Sequence, residues 1–185
     1  GGARGNFPKF AMPLDFEQRH TGSLNLDYRL GRTEGPKFLH NAGANLMFSF
    51  NSGHPYTLMQ VFNTMPFTGR YDNTNVSETP VSAVNSQTTP WVFRVDLKLD
   101  KKFYIGGVQL TAYAWALNLL NTENVANVWI TTGLPDDTGY LGTSAGRQYW
   151  NSLTDEQKSL YKMREMDYNH YGSPRQIRLG LMLEL

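Results

Sequence analysis

The chain has no cysteine among its 185 residues. Disulfide staples, thiolate metal centres and cysteine nucleophiles are therefore excluded. It also lacks an excess of either charge: 17 Lys and Arg stand against 16 Asp and Glu, for a formal net charge of +1. With no basic cluster, nothing in the chain calls for nucleic acid as a partner. Long hydrophobic runs are missing too. The longest, Ala112 to Leu117, falls far short of the roughly 20 residues that a membrane-spanning helix needs. A membrane strand needs only about 9–11 residues and escapes that exclusion.

Aromatic residues are plentiful, at 13%, in a chain whose mean hydropathy is −0.46. That combination suits β-structure with one wet face. The pattern bears this out most clearly at the C-terminus, where Ile177, Leu179, Leu181 and Leu183 alternate with Gln176, Arg178, Gly180 and Glu184, and only Met182 breaks the rule. Successive strand residues point to opposite faces, so this segment is a ribbon with one apolar side. Four earlier stretches read the same way. Leu24, Leu26, Tyr28 and Leu30 oppose Ser23, Asn25, Asp27 and Arg29. Leu46, Phe48 and Phe50 oppose Asn45, Ser49 and Asn51. Trp91, Phe93, Val95, Leu97 and Leu99 oppose Arg94, Asp96, Lys98 and Asp100. In the fourth, Leu110, Ala112, Ala114 and Ala116 share a face, and a bulge near residues 117–120 accounts for a parity change. The expected strands lie near residues 21–31, 42–52, 91–103, 108–121 and 174–185.

The connections alternate in length. Gly31 to Asn41 is modest, and Tyr104 to Gly107 is a tight turn built on Gly106-Gly107. Residues 52–90 and the roughly fifty residues after Asn121 are long by comparison. An up-and-down sheet then has short turns at one end and long loops at the other, as outer-membrane barrels do. Within the second long loop, Thr154 and Gln157 form a capping-box signature for a helix from about Asp155 to Met166. Asp155 and Glu156 in its first turn suit the helix dipole. Residues 57–63 read as a short strand, and residues 125–132 as an extension of the fourth strand. The expected class is all-β, an antiparallel up-and-down transmembrane barrel segment with a short helix in the last long extracellular loop. Residues 1–185 are read as one barrel-domain segment. Five strands are too few for a closed barrel, which starts at about eight, and open edges in lipid would leave backbone groups unsatisfied. Further barrel strands, from the same or another chain, are therefore expected as partners. With no initiator Met or signal peptide ahead of Gly1-Gly2-Ala3-Arg4-Gly5, the expectation is a processed start or a piece of a longer polypeptide.

Four motifs carry a resemblance. Tyr171-Gly172-Ser173-Pro174-Arg175 leads into the final alternating strand. Asn118-Leu119-Leu120-Asn121-Thr122-Glu123-Asn124-Val125 follows the penultimate one. Asp15-Phe16-Glu17-Gln18-Arg19-His20 opens an earlier strand, and Asn51-Ser52-Gly53-His54-Pro55-Tyr56 marks a strand-to-loop exit. In this order and spacing they resemble the C-terminal barrel of TonB-dependent outer-membrane receptors. The resemblance implies the last five of about 22 strands around a plugged lumen. It also implies a Gram-negative outer membrane and import of siderophores, cobalamin, glycans or peptides. The implied partners are the lipid bilayer, a plug, and the TonB system reached through a plug-bearing part that this sequence does not contain. Leu185 stands where the family's assembly signal usually has an aromatic residue.

On this reading Arg94, Asp96, Lys98, Asp100, Gln176, Arg178 and Glu184 face the lumen. Tyr28, Phe48, Phe50, Trp91, Phe93 and Phe103 form an aromatic girdle. Asp136 and Asp137 are weak candidates for a loop calcium site, against the simpler reading of a turn closed by Gly139. His20, His40, His54 and His170 share no metal-ligand spacing, and no motif frames a nucleophilic serine. Neither enzyme activity nor a cofactor is expected. Two alternatives stay open: a barrel-completing fragment or subunit with a structural or adhesion role, and a soluble β-sandwich binding module.

Overall fold

The computed structural model describes residues 11–61 and 79–184. Its elements in chain order are β1 (Thr21–Arg29), β2 (Ala42–Asn51), β3 (Pro55–Tyr56), β4 (Gln87–Thr88), β5 (Val92–Ile105), β6 (Val108–Leu117), α1 (Ser144–Ser152), α2 (Asp155–Glu165) and β7 (Gln176–Glu184). The chain divides into two compact units. A sheet unit comprises residues 19–52, 90–125 and 171–185; a loop unit comprises residues 1–18, 53–89 and 126–170.

The sheet unit is one antiparallel sheet with strand order β1-β2-β5-β6-β7. Chain neighbours within the unit are neighbours in the sheet, so its topology is up-and-down. The sheet is open: among the described residues, β1 and β7 each pair on one side only. The register keeps the alternation of every strand in phase. Leu26, Leu46, Leu97, Ala116 and Ile177 form one continuous row across all five strands. The next row on the opposite face is Asp27, Asn45, Lys98, Trp115 and Arg178. A slip of one residue anywhere would put charges into the apolar rows, which is why the register is strongly specified.

Local chemistry sets the strand ends. Ile105 pairs with Val108, so β5 and β6 are joined by Gly106 and Gly107 alone. Both have positive φ, 57° and 88°, as a two-residue turn matched to the twist of a hairpin requires. At the other end of β6 the predicted bulge is present. The register that pairs Ala116 with Leu97 would place residue 118 opposite Val95. Instead Asn118 turns to φ 52° and the Leu119 N–H donates to the Val95 carbonyl at 2.7 Å. One extra residue is thus accommodated, and regular β6 stops at Leu117 rather than reaching Asn121. Two glycines are covered by aromatic rings from the facing strand. Phe50 lies over Gly22, where an added Cβ would come within 2.6 Å of the ring, and Tyr113 lies over Gly180. Such coverage restores the packing that a strand glycine forfeits.

In the loop unit α2 begins as expected. Thr154 Oγ1 accepts the Gln157 N–H, and the Gln157 side chain accepts the Thr154 N–H at 3.0 Å. Helix α1 was not legible in the pattern; it starts at an N-cap in which Thr143 Oγ1 accepts the Gly146 N–H at 2.9 Å. Residues 125–132 do not extend the fourth strand, which corrects that expectation. Val125 makes a single bridge to Tyr171. In the loop unit, the Thr132 and Gly133 N–H groups then turn back onto the Trp129 carbonyl. Of the short strand expected at 57–63 only a bridge between Met59 and Pro80 is present among the described residues, with β3 lying just before it, and residues 62 and 63 lie outside the described residues. The packed centre of this unit is aromatic. Tyr149 lies 6.3 Å from Tyr140 and 6.2 Å from Tyr161, and Trp150 meets Tyr161 edge-on at 5.8 Å between ring centroids.

Candidate functional site

The two faces of the sheet are the most distinctive surfaces of the molecule. The register brings all seven residues expected to line a lumen onto one face. Arg94, Asp96, Lys98 and Asp100 descend β5, and Gln176, Arg178 and Glu184 sit on the same side of β7. Arg94 forks onto Asp96 with two hydrogen bonds of 2.7 Å, the bidentate geometry that makes such pairs strong. Arg29 reaches Asp27 at 2.9 Å on its own strand and Asp100 at 3.2 Å, two strands away. That bridge passes over Gly43 of β2, where an added Cβ would lie 2.9 Å from both the guanidinium and the carboxylate. Tyr113 and Trp115 add aromatic platforms. Lys98 stands 5.3 Å from the Tyr113 ring centroid and Arg178 5.8 Å from that of Trp115, within cation–π range. Glu184 accepts from the Gln109 side chain, and Arg178 donates to Gln176 at 3.0 Å. Chemically the face offers charge-assisted hydrogen bonds and flat rings to a polar solute or polypeptide.

Asp96 does more than pair with Arg94. It is 3% exposed, and its carboxylate also accepts the Asn118 N–H at 2.8 Å, at the bulge that ends β6. The Asn118 side chain donates to the carbonyls of Thr122 and Ser173 at 3.0 and 3.2 Å. Asn121, also at φ 52°, accepts the Arg175 N–H at 2.9 Å. Asn124 mimics a peptide unit against Phe93, accepting its N–H at 2.9 Å and donating to its carbonyl at 2.8 Å. The three asparagines of the segment 118–124 thus join the ends of β5, β6 and β7. Asparagine suits both tasks, because it tolerates positive φ and carries amide groups on a short stem. The motif was legible in the sequence; its coupling to Asp96 was not.

The opposite face is apolar and exposed. Leu24 and Leu26 are 54% exposed, Leu179 78% and Leu181 72%. Across the five strands every side chain on this face is apolar or absent except for the Tyr28 hydroxyl and the Lys101 ammonium. Aromatics gather at its two ends. Near the long connections Trp91 stacks with His20, Phe50 and Phe93, and Phe48 follows Phe50. Near the short turns lie Tyr28 and Phe103. Phe93 and Phe103 are ten residues apart on β5, roughly 33 Å along a strand at about 3.3 Å per residue.

In the loop unit Glu165 has no exposed surface. Its carboxylate accepts from the Thr138 N–H at 3.2 Å, the Thr138 hydroxyl at 3.0 Å and Lys162 at 2.8 Å. A glutamate in the last turn of an amphipathic helix reads as a surface residue, so no sequence signal marks it. Burial, reinforced by this carboxylate, pushes the Tyr161 phenol well above its ordinary range. Asp137 closes its own turn: its carboxylate accepts the Gly139 N–H at 2.7 Å, with Gly139 at φ 77°. Among the described residues no three His, Asp or Glu side chains gather as a metal site would require. The histidines are dispersed. His54 bonds to Gln18, His40 to the Gly35 carbonyl, and His170 to the Pro135 carbonyl. Leu185 lies outside the described residues. Comparison with protein-family models, with curated proteins and with solved structures finds no match to this chain.

Proposed function

We propose that the sheet unit is part of the wall of a transmembrane β-barrel, the C-terminal portion of a TonB-dependent outer-membrane transporter. The observation that carries this reading is the inversion of the sheet: Asp96 and Asp100 are buried while Leu24, Leu26, Leu99, Leu179, Leu181 and Leu183 are exposed. In water that arrangement exposes the wrong face, since leaving a Leu side chain unburied forgoes about 1.5–3 kcal/mol. Facing hydrocarbon, with the polar face toward a wet lumen, it is the stable one. The aromatic spacing agrees. Roughly 33 Å of strand tilted by about 40° spans about 25 Å, the height of an outer-membrane apolar band. The four motifs and the alternation of short turns with long loops support the same assignment. Lumen-wall residues and extracellular loops then serve the uptake of a siderophore, cobalamin, glycan or peptide, with energy supplied through TonB. The open edges of β1 and β7 require further strands in lipid. They fit equally a subunit that completes a barrel in a larger structural or adhesive envelope complex.

The absence of cysteine makes a clean topology test possible. On intact cells a membrane-impermeant maleimide should label Tyr168→Cys in the loop unit, and should reach Thr33→Cys, between β1 and β2, only after permeabilisation. Recovery of the protein in a water-soluble fraction, or equal labelling at both positions, would sink the membrane reading. Transport is tested separately, as loss of protonophore-sensitive uptake of one of the four substrate classes on gene deletion. Intact uptake together with co-purification of a second barrel chain would favour the completing-subunit role.

A further inference from the structure

At the short-turn end of the apolar face the wall is dented. Ala42, Ala44, Ala112 and Ala114 flank β5 on both sides, and Tyr28 and Phe38 rise beside them around a cavity of about 590 Å³. The register explains the dent. Ala44, Leu99 and Ala114 lie in one row, and Ala42, Lys101 and Ala112 in the next, so small residues border β5 on either hand. The volume falls within the range of small-molecule sites, roughly 300–1,000 Å³. Lys101 is the single charge on the whole face. Its ammonium bonds to the Phe38 carbonyl of the β1–β2 connection and stands 5.4 Å from the centre of the Phe103 ring. Among the described residues no carboxylate pairs with it. One carbonyl occupies one of three ammonium protons, which leaves donors and a full positive charge at the rim of an apolar groove.

We propose that this groove holds one anionic glycerophospholipid of the leaflet at the short-turn side, with an acyl chain along the alanine floor and the phosphate on Lys101. The inference rests on the barrel reading above. The chemistry selects the ligand: an apolar trough with a cation at one end matches an amphiphile with a negative head. A lysine stem lying on apolar surface with its charge turned toward the interface is the usual way for that residue to sit at a membrane edge.

The test uses the protein extracted from its own outer membrane in mild detergent, then reconstituted with phosphatidylglycerol or phosphatidylcholine. Native mass spectrometry counts retained lipid, and brominated lipids report by quenching whether Trp91 faces hydrocarbon, read as the quenching lost in Trp91→Phe because Trp115, Trp129 and Trp150 also fluoresce. The wild type should retain one phosphatidylglycerol in preference to phosphatidylcholine. Lys101→Met should lower that retention about fivefold, the effect of one basic residue at an anionic membrane surface, and Lys101→Arg should restore it. Ala112→Leu, which keeps the charge and fills the groove, should also lose the lipid while the variant still shows the heat-dependent gel mobility of a folded barrel. Trp91 quenched, but retention equal in wild type, Lys101→Met and Ala112→Leu, overturns the lipid site and leaves the barrel reading standing. Trp91 unquenched overturns both.

Discussion

Among the described residues the buried apolar side chains are Pro55, Val128, Tyr140 and Tyr161, and all four belong to the loop unit. In the sheet unit the buried side chains are Ser52, Asp96, Asp100, Thr111 and Asn118, while Leu24, Leu26, Leu99, Leu179, Leu181 and Leu183 stand exposed. One chain therefore carries two opposite answers to what should be hidden. The loop unit hides rings and satisfies its one deeply buried carboxylate, as a domain in water does. The sheet unit hides carboxylates and amides and leaves hydrocarbon outside. On the barrel reading proposed above, burial follows the solvent on each side of a surface, and the hydrophobicity of a residue does not by itself say where it belongs.

The contrast is broken or sharpened most strongly at the centre of the apolar face. On the proposed barrel reading, Leu97→Arg should cost about 2–4 kcal/mol of stability, as cations at mid-depth on a lipid-facing strand do. Urea unfolding in lipid vesicles measures it, and a neutral outcome would mean that this face does not meet hydrocarbon. Next comes the buried carboxylate of the other unit. Glu165→Ala strands the Thr138 donors and should destabilise the loop unit by about 1–3 kcal/mol. Hydrogen exchange should then show protection lost over residues 126–170 and kept over β5 and β6.

A smaller effect separates the units by pH. The raised Tyr161 phenol ionises later in the folded state than in the unfolded chain. Its contribution to stability is therefore complete below its ordinary value of 10.0 and is lost as the pH climbs beyond that toward the raised value. Alkaline titration of exchange in the loop unit should show this loss, and Tyr161→Phe should remove that pH dependence. Smallest is Asp27→Asn. The Asp27–Arg29 pair is half exposed, at 43% and 53%, and such pairs are worth roughly 0–1 kcal/mol. Denaturation midpoints should barely move; a large change would mean that Asp27 is needed to aim Arg29 at Asp100.

The sheet was legible in the sequence because its signal is repeated at every second residue. Leu179 and Leu181 against Arg178 and Gly180 need no tertiary information, and neither does the pair Gly106-Gly107. The Thr154–Gln157 cap was legible because its partners are three residues apart. What escaped depends on groups distant in sequence. Helix α1 spans only Ser144–Ser152, too short for its apolar period to repeat, and residues 125–132 turn on a contact of Trp129 with its own neighbours instead of pairing as a strand. Asp96 reads as one charge in a ladder, yet it caps the bulge at Asn118, 22 residues away. Glu165 reads as solvated, yet it is the acceptor for Thr138, 27 residues earlier. The arrangement of the candidate face was readable; the identity of its anchors was not.

The asparagine joint has a consequence for the order in which the sheet can assemble. The β5–β6 hairpin closes over two residues, an event of microseconds. Bringing β7 to β6 must close residues 118–175, and loop-closure entropy makes that about 3 kcal/mol costlier than the two-residue turn. Folding of the loop unit ahead of the sheet would reduce the span to be searched, because Ala126 N–H reaches the His170 carbonyl at 2.8 Å within that unit. The closure cost is then met by the loop unit's own packing, and β7 is left on a short tether. Asn118 and Asn121 hold the closure once made, through Ser173 and Arg175.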